Sequence, residues 1–135
     1  VQASASALVL IAERDQNVRK LQQYFLGQAG FTVEFADDGV AALERARAAR
    51  PSLLVTEILI PKLDGLALCR RLREDALTRE IPVLVFTILS AAARAGEAGA
   101  SAYLRKPLVE SIFLAAVQDL VVAHPNEVLE EQWAL

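Results

Sequence analysis

Polar residues stand where apolar runs of this chain stop, and their types limit the chemistry open to them. Glu13, Arg14 and Asp15 follow the run at 7–12, Glu57 lies in the run 53–60, Thr87 closes 82–87, and Lys106-Pro107 follows 101–105. Carboxylates, a hydroxyl and an ammonium brought together can hold a cation or neutralise one another as hydrogen-bonded ion pairs. Other chemistry is thinly supplied. Cys69, inside LALCRRL, reads as a small buried hydrophobe rather than a nucleophile. Asp64 reads as a helix cap, and His124 as an isolated, inert tail residue. One cysteine and one histidine leave no zinc set and no internal disulfide, and point to a reducing cytosol. Neither GxGxxG nor a Walker sequence occurs, which weighs against nucleotide binding.

The elements that must position these groups alternate. Residues 7–12 (ALVLIA) form a short branched apolar run, as expected of a strand covered on both faces. From 15 to 29 the apolar positions Val18, Leu21, Tyr24, Phe25 and Ala29 recur every three or four residues, a helical stripe stopped by Gly30. Strand 31–36, an Asp37-Asp38-Gly39 turn able to cap helix 40–49, strand 53–60 and helix 65–74 follow. Strand 82–87, a short helix 90–98, strand 101–105 and a long apolar helix from residue 108 to 123 complete the pattern. Five strands, each followed by a helix, predict an α/β fold: a single doubly wound (βα)5 parallel sheet with right-handed crossovers. In such sheets the working site lies beyond the carboxyl ends of the strands, where the polar residues named above fall.

Composition bounds the rest. The 135 residues fit one domain, with tails at 1–6 and 124–135 flanking a unit at 7–123. With 54% hydrophobic residues the chain can bury a core, and 14 Lys+Arg against 17 Asp+Glu give a net charge of −3, which disfavours direct nucleic-acid binding. No apolar run reaches the ~18–20 residues needed to cross a bilayer, so a cytoplasmic protein without membrane attachment is expected. Trp133 lies on a polar tail, and the sequence does not decide between disorder and docking on a partner.

The segment Glu57-Ile58-Leu59-Ile60-Pro61-Lys62-Leu63-Asp64-Gly65 and the pair Lys106-Pro107, with Tyr103 three residues before the lysine, resemble the receiver domain of bacterial two-component response regulators. The similarity runs over residues 7–123. The resemblance implies a flavodoxin-like sheet of order 2-1-3-4-5. It also implies an acidic pocket in which two acidic residues and an acceptor aspartate hold Mg²⁺ while a histidine kinase donates a phosphoryl group. It places Thr87 and Lys106 where the family contacts that group, Tyr103 at a switch position, and a frequently cis bond before Pro107.

Two departures matter. Arg14 occupies the second acidic position and Glu57 the acceptor position. A guanidinium stays protonated and cannot ligate Mg²⁺. At an illustrative 4 Å and effective dielectric of 20, each unit-charge pair involves about 4 kcal/mol. The extra methylene of Glu57 moves its carboxylate by about one bond length (~1.5 Å), which disturbs an in-line transfer that depends on positioning. The expectation is a degenerate acceptor pocket with no catalytic residue and no cofactor, in which Arg14 pairs with Glu57 and Lys106 can join them. Function would then be phosphorylation-independent signalling through protein contacts. The alternative is a phosphorylatable receiver holding Mg²⁺ between Asp15 and Glu57, and a flavodoxin-like small-molecule binder comes third. The last helix carries more apolar residues than one face can bury and has no Lys or Arg, so a hydrophobic partner contact is expected over 108–123 and the adjoining fourth helix and fifth strand, with a homodimer as one form.

Overall fold

A computed structural model describes residues 7–122. The order is β1 (Leu8–Ala12), α1 (Gln16–Gln28), β2 (Thr32–Ala36), α2 (Gly39–Ala49), β3 (Leu53–Thr56), α3 (Gly65–Glu74), β4 (Val83–Thr87), α4 (Ala92–Glu97), β5 (Ala102–Arg105) and α5 (Glu110–Val122). All neighbouring strands pair in parallel, in the order β2-β1-β3-β4-β5. The predicted fold class and strand order are therefore observed. The tails, with His124 and Trp133, lie outside the described residues.

Strand alternation divides the core. Leu10 and Ala12 of β1 join Leu54 of β3, Val83 and Val85 of β4, and Leu68, Cys69 and Leu72 of α3 on one face. Val9 and Ile11 join Leu53, Val55, Leu84 and Phe86 on the other, under Leu26 of α1 and Phe113 and Val117 of α5. The Phe86 and Phe113 rings meet with centroids 5.3 Å apart. Cys69 is fully buried and its thiol pKa is pushed up by that burial, consistent with a packing role.

Helix starts follow the aspartates. Asp15 accepts from the Asn17 and Val18 amides, Asp38 from Ala41 and Asp64 from Ala67. Asp15 is therefore committed to capping. Two glycines fix the β3–α3 loop through backbone contact: the Gly39 amide donates to Pro61 O at 3.1 Å and the Gly65 amide to Ile58 O at 2.9 Å. A Cβ at Gly39 would lie 1.9 Å from Leu63 O.

The third strand is shorter than the apolar run 53–60 predicts. β3 stops at Thr56, because the Ile58 and Leu59 amides turn back to the Glu57 carboxylate instead of extending the ladder. α4 is also shorter than its alanine-rich stretch suggests, starting at Ala92 after an Ala91 that offers no side-chain cap.

Gln22 is the polar flaw of the core. It is fully buried on the α1 stripe between Val18 and Leu26, and both side-chain amide atoms lack a partner among the described residues. Gln22→Met keeps the shape and removes the desolvated amide, so a gain of about 1 kcal/mol and a Tm rise of roughly 3–6 °C is expected. A lower Tm in thermal denaturation would mean that the amide has a stabilising partner.

Candidate functional site

The carboxyl ends of β1, β3, β4 and β5 bring Glu13, Glu57, Thr87 and Lys106 together. Glu13, Glu57 and Thr87 are buried, at 2%, 5% and 0% relative exposure. Lys106 projects between the glutamates: its Nζ lies 3.0 Å from Glu13 Oε1 and 3.0 Å from Glu57 Oε1, and 3.2 Å from Glu13 Oε2. Its backbone amide donates to Thr87 O at 2.8 Å, which fixes the root of the side chain, and the following bond to Pro107 is cis. The second oxygen of Glu57 accepts from the Ile58 amide at 2.6 Å, the Leu59 amide at 3.2 Å and the Thr87 hydroxyl.

Burial alone would raise the Glu57 pKa. The hydrogen bonds from Thr87, Lys106 and the Leu59 amide, with the Lys106 charge, outweigh that and hold the carboxyl below its ordinary value. Burial likewise opposes the Lys106 charge, but its bonds and attraction to Glu57 and Glu13 raise the ammonium above its ordinary value. The site is thus a carboxylate–ammonium–carboxylate bridge.

Arg14 is not part of it. Where a pair with Glu57 was expected, the Arg14 side chain is exposed and lines a groove with Leu59, Asp64 and Arg94. The physical reason is solvation: the Lys106 ammonium, just past the end of β5, already neutralises the buried carboxylates, while a guanidinium on a loop keeps its hydration by facing outward. Asp15 points into its helix cap, and only its backbone amide touches the pocket, donating to Glu13 Oε2 at 3.0 Å.

Hydrogen bonds leave the site through Thr87, whose Oγ1 accepts from the Leu89 amide at 3.1 Å. The Tyr103 hydroxyl donates to Leu89 O and accepts from the Ala91 amide at 3.0 Å. Glu57, Thr87, the β4–α4 loop and Tyr103 of β5 therefore form one connected chain.

Arg19 was missed by the sequence reading. Its guanidinium donates to Glu13 O, to Ala36 O at 3.1 Å and to Asp37 Oδ1 at 2.7 Å, tying the β1–α1 loop to the β2–α2 loop. The available signal was its position one turn after the capping Asp15, which directs a long side chain back over the strand ends.

Mg²⁺ requires near-octahedral oxygen ligands, usually one or two carboxylates with water or phosphate. Two carboxylates converge here, but Lys106 engages both and the amides of Asp15, Ile58 and Leu59 take up their remaining oxygens. No group of three or more His, Cys, Asp or Glu residues suited to a metal occurs among the described residues. These residues do not fit the ion.

Residues 9–118 match the family model of the response regulator receiver domain. The chain belongs to the receiver domain family. Among curated relatives, this receiver is 39% identical over 119 residues to the response regulator MprA of Mycobacterium ulcerans, covering 86% of this chain and 50% of that protein. It is 35% identical over 133 residues to MprA of Mycobacterium bovis, covering 96% of this chain and 57% of the relative. The chain thus spans about half the length of the curated relatives it matches. A response regulator structure from Chloroflexus aurantiacus superposes with a TM-score of 0.82 at 32% identity, over 87% of this chain and 98% of the other. The receiver domain of a Pseudomonas aeruginosa sensor histidine kinase, solved with magnesium coordinated in its active-site cleft, shares the fold at TM-score 0.81 and 21% identity, over 87% of this chain and 99% of that one.

Proposed function

We propose that this receiver signals through protein contacts without aspartyl phosphorylation or magnesium. The observation that supports this reading is the Lys106 ammonium bonded to both Glu13 and Glu57 while Glu57 holds the Thr87 hydroxyl. A phosphorylated aspartate would place oxygens near these partners, and the longer Glu57 side chain supplies a permanent carboxylate to them. The module carries no catalytic residue in this reading and works in the cytoplasm; among the described residues no helix is long and apolar enough to cross a membrane.

The contact surface in this proposal is α4, β5 and α5. Phe113 and Val117 face the sheet, whereas Val109, Ile112 and Val122 remain 48%, 55% and 63% exposed. A hydrophobic protein partner, or a second copy of the chain, fits that face.

Incubation with acetyl phosphate and Mg²⁺, followed by intact mass measurement, tests the reading. The wild-type mass is expected to stay unchanged, and a stable gain of one phosphoryl group rejects the proposal in favour of a phosphorylatable receiver. The double substitution Arg14→Asp, Glu57→Asp is expected to gain the group, because it restores a second acidic ligand and the shorter acceptor.

A further inference from the structure

We propose a binding site for a small organic anion, a carboxylate carried on an apolar body, in the groove beside the Glu57 pocket. The groove is open to solvent and has a volume of about 430 Å³, within the range of small-molecule sites. Its floor is apolar, with Leu59, Leu66 and Leu89 among the lining residues, and Leu59 keeps 53% of its surface exposed. Two guanidiniums, Arg14 and Arg94, stand at its walls, and neither makes a hydrogen bond or ion pair with another described residue. Asp64 is the one acidic lining residue, and its Oδ1 is held by the Ala67 amide. The lining charge is therefore net positive over an apolar surface, complementary to an amphipathic anion and unfavourable to an amine of the same shape.

The groove shares backbone with the switch chain. The Leu59 amide bonds Glu57 and the Leu89 amide bonds Thr87, so a ligand seated on these residues touches the segments that connect the pocket to β5. Binding here does not depend on whether Glu57 accepts a phosphoryl group, so the site goes beyond the function proposed above and its failure would leave that reading intact.

Octanoate, 1-octanol and octylamine separate charge from simple apolar adsorption, with amide chemical shifts of the 15N-labelled chain as readout. Octanoate is expected to saturate, shifting the Leu59, Leu66 and Leu89 amides, and to bind about tenfold or more tightly than either comparator, the ratio one charge-assisted contact provides. Arg14→Glu and Arg94→Glu, both at exposed positions, are each expected to weaken octanoate about tenfold while leaving the remaining spectrum folded. Equal binding of octanol, shifts confined to α5, or no saturation would overturn the proposal. So would the case in which an acidic peptide occupies these residues and octanoate does not.

Discussion

Replacing Lys106 with methionine is expected to destabilise the fold by about 3–5 kcal/mol at pH 7, because it leaves two buried carboxylates without their shared cation. The side-chain exposures of 11% for Lys106, 3% for Glu13 and 6% for Glu57 leave little room for water to replace the ammonium. The pH dependence has a definite sign. Glu57 has a lowered pKa in the folded state, so its contribution is complete above the ordinary value of 4.5 and is lost as pH falls through the lower folded value. Lys106 is raised, so its contribution is complete below 10.5 and is lost as pH rises through the higher folded value. Between those limits the wild type keeps the Lys106–Glu57 pair, whereas the Met variant regains stability toward pH 4 as Glu57, deprived of the ammonium, protonates. Urea denaturation at pH 7 and pH 4 measures both effects. A variant within about 1 kcal/mol of wild type at pH 7 would mean that the bridge is no better than an exposed surface pair.

Gly65→Ala should act on the same pocket from behind. The added Cβ would sit 2.3 Å from Glu57 O and 2.9 Å from Ile58 Cα, both backbone atoms that cannot rotate away. The loop must shift, straining the Gly65 amide bond to Ile58 O and the Ile58 amide bond to the Glu57 carboxylate. A loss of about 2–4 kcal/mol is expected from overpacking together with a weakened hydrogen bond. Gly96→Ala provides the control, since nothing lies within 4 Å of a Cβ there and α4 should gain about 0.5–1 kcal/mol. Thermal unfolding of both variants checks the pair, and similar Tm values would refute the close approach at Gly65.

The architecture was legible because strand and helix periods agree with local signals along the chain. The run ALVLIA is apolar throughout since β1 is covered on both faces, and Asp15, Asp38 and Asp64 mark helix starts because short carboxylates bond free amides there. Of the pocket, Glu13, Glu57, Thr87 and Lys106 were legible, whereas the exclusion of the Arg14 and Asp15 side chains and the pairing of Lys106 with both glutamates were not. Glu13 and Arg14 are adjacent in sequence, and which of them turns inward depends on a lysine more than 90 positions away in the chain. Long-range side-chain bonds to backbone leave no periodic trace either. Arg73 illustrates this, with bonds to Gly99 O at 2.9 Å and Ile81 O at 2.7 Å that join the end of α3 to the turns before β4 and β5.

Helices α1, α2 and α3 begin on an aspartate whose carboxylate bonds a free amide, while α4 begins on Ala91, whose amide is bonded by the Tyr103 hydroxyl of another strand. Local opening should therefore be uneven across the molecule. In hydrogen–deuterium exchange the first turn of α4 should lose protection before the capped helices do, placing the most readily opened segment within the surface proposed above for protein contact.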